Sequence, residues 1–204
     1  MSEVRSLLER LAEKQPGPLP TFTAIQILSV ILYLGEVGVA GRKKISKALG
    51  IGEGAVRNIL NRLRAAGLLE TVRQGCRLSR GGLRLYRRLS RTLVKLGSLN
   101  IRLPWNYPEN YCLRVRGKAA MIRRGLEQRD AAIRAGAEAV IILTYVNGSL
   151  HMPGVSNLSK EKPCFASEVV EAVKPEDGDV IIIAGGWRLV DARNGALAAA
   201  QTLL

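Results

Sequence analysis

Apolar residues recur along the chain at two periods, and the change between them outlines its organisation. Val4, Leu7, Leu8 and Leu11 are spaced for one face of a helix over residues 3–14. Residues 15–20 read QPGPLP, a stiff break, and Thr21 then offers an N-cap for an apolar helix running to about Gly35. Residues 41–67 read GRKKISKALGIGEGAVRNILNRLRAAG. They predict a helix over 42–49, a tight turn over 50–52 and a second helix over 53–66, with Gly50, Gly52 and Gly54 supplying backbone freedom around the turn. Residues 68–72 and 76–79, separated by Arg73-Gln74-Gly75, predict a short hairpin. A further helix is expected over 81–96, with Leu83, Tyr86, Leu89, Leu93 and Leu96 along one side, as internal packing or as a dimer contact.

Residues 97–108 hold two prolines and no helical period, which places a domain boundary there. Beyond it the pattern predicts strands over 111–116, 138–146 and 179–184, helices over 119–135, 166–173 and 187–203, and a short return strand over 150–155 after the Asn147-Gly148 turn. The expected fold class is α+β in two domains. Residues 1–20 form an N-terminal helix and linker, 21–97 a helical domain with a hairpin, and 109–204 a small α/β domain with a mixed sheet.

Charge sharpens this division. The chain of 204 residues carries a formal net charge of +14. Residues 1–100 hold 18 Lys and Arg against 6 Glu (+12), and residues 101–204 hold 13 against 11 acids (+2). Clustered positive charge attracts a polyanion, and solubility alone does not require concentrating it in one half. Hydrophobic content of 47% excludes a disordered chain, and no apolar run reaches the roughly 18 residues that cross a bilayer. The first eleven residues carry Glu3, Arg5, Glu9 and Arg10, so no secretory signal is read there and a cytoplasmic location is expected. Cys76, Cys112 and Cys164 are far apart, which gives neither a disulfide framework nor, with His151 as the sole histidine, a zinc spacing. No metal or cofactor is expected.

On a helix at 100° per residue, Val56, Ile59, Leu60 and Leu63 form one stripe over residues 53–66, and Gly54, Asn58, Asn61 and Ala65 lie opposite, flanked by Arg57, Arg62 and Arg64. Short crest residues let a helix approach bases, asparagine pairs with the adenine edge, and flanking arginine reaches guanine or phosphate. Arg42, Lys43 and Lys44 open the preceding helix and suit phosphate contacts that fix register. Arg73 at the hairpin tip and Arg77 just past it suit a basic wing. The expected partner is double-stranded DNA, bound by a homodimer.

The segment ISKALGIGEGAVRNILNRLRAAGLLE (45–70), its hairpin and SRGGLRLYRRL (79–89) resemble the winged helix-turn-helix of prokaryotic, and especially archaeal, transcriptional regulators. The resemblance implies that the helix over 53–66 enters the major groove. The whole layout also resembles archaeal proteins of about this length in which such a domain precedes a small α/β domain. Two details depart from the pattern. Gly52-Glu53 stands where many relatives place a Ser or Thr cap, and Glu53 would repel phosphate.

Residues 109–204 show no catalytic set. His151 follows a turn, and Gly185-Gly186-Trp187-Arg188 follows an apolar strand, where amides at a helix start can hold an anion. Residues 148–162 are polar and poor in regular structure, and with 185–188 they are the expected lining of a small-molecule effector site. The competing reading is an enzyme fused to a regulatory winged helix, with His151 clustered with Asp179 or Asp191. A third, an RNA- or protein-binding module, is disfavoured for single strands by an aromatic content of 4%.

Overall fold

A computed structural model describes residues 3–13 and 22–204. The QPGPLP break and Thr21 lie outside the described residues. The chain divides into two compact units, Met1–Ser90 and Arg91–Leu204.

In the first unit, α1 (Glu3–Ala12) precedes α2 (Ala24–Val37), β1 (Val39–Ala40), α3 (Arg42–Leu49), α4 (Glu53–Ala65), the hairpin β2 (Leu69–Val72) and β3 (Gly75–Leu78), and α5 (Arg80–Thr92). The cap of α2 is Thr23, not Thr21. Its side chain accepts from the Gln26 amide and the Gln26 side chain accepts from the Thr23 amide, a reciprocal capping box. Helix α2 is apolar around most of its circumference and lies in the core, with Ile27, Leu28, Val30, Ile31 and Leu34 buried and Glu36 exposed. The three strands pair antiparallel in the order β1-β3-β2. Strand β1, only two residues long, carries no period that a sequence reading can detect.

The expected helix over 81–96 ends instead at Thr92, and Leu93–Gly97 becomes a strand, β4, of the second unit. Leu93, Val94 and Lys95 pair with Val115, Arg114 and Leu113, so backbone hydrogen bonds to a neighbouring strand override helical spacing. The stripe read along that segment is split accordingly. Leu89 and Leu93 are buried, the Tyr86 ring lies over Gly35, and Leu83 stays exposed.

The second unit continues with β5 (Glu109–Val115), a 3-10 turn (Ala119–Met121), α6 (Leu126–Arg134), β6 (Ala139–Val146), β7 (Ser149–Met152), β8 (Ser156–Asn157), α7 (Leu158–Glu161), α8 (Pro163–Val173), β9 (Asp179–Gly186) and α9 (Leu189–Gln201). The strands form one six-stranded sheet in the order β4-β5-β9-β6-β7-β8. Every pairing is antiparallel, which corrects the mixed sheet expected from sequence. Alternating helices and strands suggested parallel crossovers, but the chain returns through hairpins and helical connections that reverse direction.

Strand β9 is central and buried along its whole length. Its Ile181 and Ile183 pack with Ile141, Leu143, Val169 and Val173 on the α8 face. Helices α6 and α9 pack on each other, and α9 also packs on β5 and β9. The single helix expected over 119–135 is broken, because Gly125 adopts φ +72° at the N-cap of α6. A Cβ there would also come within 3.2 Å of Ile142.

Candidate nucleic-acid interface

Helix α4 is held by its apolar stripe. Val56, Ile59, Leu60 and Leu63 are all buried. The turn before it is built by Gly50, which ends α3 at φ +64°, its N–H bonded to the Ser46 carbonyl, while the Ser46 hydroxyl donates to the Ile51 carbonyl at 2.6 Å. Only Gly50 needs the left-handed conformation. Gly52 and Gly54 do not, and a Cβ at either would meet nothing within 4 Å. Their lack of a side chain instead leaves the start of α4 open to close approach.

The crest of α4 faces solvent: Gly54, Asn58, Asn61 and Ala65 are exposed. Arg57 and Arg64 are exposed on one shoulder. Arg64 donates to Asn61 Oδ1 at 3.0 Å and to the Thr71 hydroxyl at 2.9 Å, which ties the helix to the hairpin. Asn58 and Arg57 carry no hydrogen bond or ion pair among the described residues.

The other shoulder is different. Arg62 is half-buried, donates to the Leu11 and Glu13 carbonyls at 2.6 Å each, and lies 4.9 Å from the centre of the Phe22 ring. Leu11 lies in the last turn of α1, where free carbonyls attract a guanidinium. Arg62 therefore anchors α1 to α4 and leaves the candidate interface. Phe22, its cation–π partner, carried no sequence signal for this role.

Around the crest, Lys43 and Lys44 in the first turn of α3 and Arg73 at the hairpin tip are exposed and unpaired among the described residues. Arg42 pairs with Glu53 at 3.4 Å, and Arg77 pairs with Glu70 at 3.0 Å. Both pairs are solvent-exposed, so each arginine can exchange its partner at little cost. The Arg42 pair also offsets the charge of Glu53 beside the crest.

The second-unit candidates are not brought together. His151 is half-buried on β7 opposite Thr144, whereas Gly185 lies opposite Ala139. Five residues of β6 separate these positions, about 17 Å. Gly185 and Gly186 are the buried end of β9, and a Cβ on Gly185 would fall 2.6 Å from the Trp105 indole nitrogen, so this glycine makes room for a ring. Trp187 is 64% exposed and meets Tyr107 edge-on at 5.4 Å. Arg188 is exposed and forms a two-pronged pair with Asp191 at 2.7 and 2.9 Å, which raises its pKa further.

Asp179 is likewise committed. It accepts from the Gly117 and Glu176 amides at 3.0 Å each and lies 3.5 Å from the buried Arg114 guanidinium. Neither acid joins His151. Residues 148–162, expected to be irregular, contain β7, β8 and α7. Met152, Val155, Ser156 and Leu158 from this segment line an open cleft of about 530 Å³ with Leu103, Ile141 and Phe165, away from 185–188. Burial pushes the Cys112 thiol up to about 12, which makes it inert, while Cys164 is exposed.

With this geometry in place, comparison with known proteins bears on both units. The N-terminal domain described as PH0730-like matches residues 25–84. The domain of unknown function DUF4443 matches residues 107–203. A solved structure, hypothetical protein PH0730 from Pyrococcus horikoshii OT3, is similar with a TM-score of 0.68 at 26% identity, over 89% of this chain and 92% of that one. That likeness extends over both units of this chain. Curated proteins give no match. Among the described residues no helix is long and apolar enough to cross a membrane.

Proposed function

We propose that the first unit is a winged helix-turn-helix and that the protein is a transcriptional regulator which binds double-stranded DNA in a sequence-specific way. In this reading α4 lies in the major groove, the α3 N-terminus grips phosphates, and the β2–β3 hairpin is the wing. One observation carries it: the solvent-facing crest of α4 is short and polar, with unpaired Asn58 at its middle and Arg57 and Arg64 on an open shoulder. The setting of Arg42, Lys43 and Lys44 adds support. A helix N-terminus disfavours cations by roughly 0.3–1 kcal/mol each, so three of them in the first turn of α3 point to an external anion.

Asn58 and Asn61 present amides suited to adenine, with Arg57 suited to guanine or phosphate. Fluorescence anisotropy with labelled duplexes tests this. Binding weakens steeply with salt, and Arg57→Ala together with Lys43→Ala lowers affinity for every duplex. Unchanged affinity in that double variant removes α3 and α4 from the interface.

For the second unit, the supporting observation is the cleft lined by Leu103, Ile141, Leu158 and Phe165, with exposed Arg102 and Lys162 outnumbering one acid, Glu161, among its lining residues. It suits a small apolar effector carrying an acidic group. A thermal-shift screen of aliphatic and aromatic carboxylates tests it, and Phe165→Ala abolishes any shift that reports this site.

A further inference from the structure

Helix α5 carries a second concentration of positive charge that the α4 interface does not use. At 100° per residue, Arg80, Arg84, Arg87 and Arg88 fall within one arc of about 100°. Opposite that arc lie Gly82, Leu85 and Leu89, which are buried. All four arginines are exposed. Helix α5 contains no Asp or Glu. Arg88 pairs with Glu3 of α1 at 2.7 Å, through side chains that are 58% and 84% exposed. Arg80, Arg84 and Arg87 have no hydrogen-bond or ion-pair partner among the described residues.

Like charges three and four residues apart disfavour a helix, and the first turn of α5 gains nothing from the cation Arg80. Local helix stability therefore does not account for the row. Solubility does not require it to be confined to one narrow arc, either. What suits it is a counter-charge that is itself repeated along a line.

Helix α1 spaces Arg88 from the Arg62 shoulder of α4. Arg88 grips α1 at Glu3, and Arg62 of α4 grips it at Leu11 and beyond. Eight residues of α1 separate those holds, about 12 Å of helix. Between α1, the turn after α4 and α5 runs an open groove of about 640 Å³, lined by Arg10, Arg84 and Arg88 among others. Glu3 is the one acid of that lining and is already paired with Arg88, so the row borders a groove whose remaining charges, Arg10 and Arg84, are positive.

We infer that the α5 arginine row is a second, sequence-independent binding surface for the phosphate backbone of duplex DNA. It rests on the reading of the first unit as a DNA-binding domain, and it adds contacts that the groove-reading helix does not supply. Arg80 to Arg87 spans about 10 Å of helix, and one DNA strand presents a phosphate every ~3.4 Å along its axis. Three guanidinium groups along that length match about three phosphates. Arginine suits them because its planar fork donates two parallel hydrogen bonds to one phosphate.

The test is a salt titration of the full chain against two duplexes, one selected for tight binding and one of random sequence. The variant is Arg80→Gln/Arg84→Gln/Arg87→Gln, checked by thermal melting for an unchanged fold. Each phosphate contact contributes about 0.9 to the slope of log K against log salt, so the slope falls by about 2–3. Affinity drops about tenfold or more for both duplexes, and their ratio is preserved. The corresponding triple lysine variant keeps most of the slope.

An unchanged slope and affinity in the glutamine variant overturn the inference, even where Asn58→Ala alters sequence preference and so upholds the α4 reading. The converse result separates the two claims the other way: no sequence preference in the native chain, with salt-dependent binding that the glutamine variant removes, leaves the row standing and discards α4 as a reader. A native chain that binds no duplex at low salt overturns both.

Discussion

The two units treat polar side chains in opposite ways. In the first, Lys43, Lys44, Arg57, Asn58 and Arg73 stand exposed without partners among the described residues, and the apolar positions beneath them hold the helices in place. In the second, the polar groups that a chemist would pick out are already engaged. Asp179 holds two backbone amides and the buried Arg114, which also donates to the Lys174 carbonyl. The difference separates a surface with unused hydrogen-bonding capacity from one whose polar groups hold the fold together. Unspent donors on a rigid face are available to a ligand, and spent ones report only on stability.

The largest effect that sharpens this contrast is expected at Asp179. Asp179→Ala leaves the Gly117 and Glu176 amides without their acceptor and takes the nearer carboxylate from the buried Arg114 guanidinium, which keeps only the Lys174 carbonyl and the exposed Glu176 at 3.8 Å; it lowers unfolding free energy by about 3–5 kcal/mol in a urea melt. A loss below 1 kcal/mol would show that Asp179 is not structural and would reopen it to chemistry. Next comes Arg62→Ala. It removes charge-assisted hydrogen bonds to the α1 carbonyls and costs about 1.5–3 kcal/mol of stability, with little change in duplex affinity at temperatures where the variant is folded.

Asn58→Ala behaves in the reverse sense. Stability shifts by less than about 0.5 kcal/mol, while discrimination between the preferred duplex and one mismatched at the contacted base falls by about 1–3 kcal/mol.

A smaller, pH-dependent effect marks Cys112. Its folded pKa is raised by burial from an ordinary value of 9 to about 12, so the folded state keeps a proton that the unfolded chain releases in that window. Its contribution is fully present below pH 9 and declines as pH rises toward 12, at up to about 1.4 kcal/mol per pH unit. Guanidinium melts of the native chain and Cys112→Ala across pH 8–10.5 read this as a slope the variant lacks. The smallest effect is at Arg188, where Arg188→Ala leaves the melting temperature unchanged, because the side chain is fully exposed.

The sequence exposed the first unit more fully than the second for a physical reason. The α3 and α4 boundaries follow from periodic apolar residues and a glycine that only a tight turn requires, so they were readable locally. Arg62 was not, because its role depends on carbonyls about 50 residues earlier in the chain. Leu93 and Leu96 continue the helical spacing of Leu89 and the segment shows no clean alternation, so only pairing with Glu109–Val115 makes it a strand. In the second unit, strand direction depends on non-local pairing, and the antiparallel sheet lay beyond local pattern. Gly185 looked like an anion cradle by its neighbours, whereas the structure shows it accommodating Trp105. The α5 arginine row is legible at 100° per residue, but its freedom from partners is a property of the fold.

Selection of duplexes from a random pool by the native chain and by Asn58→Ala decides whether α4 reads base edges. The native chain is expected to enrich a short motif, and the variant to lose preference at one or two positions within it while still binding. Enrichment of no motif by the native chain, or of an identical motif by both, would contradict that reading.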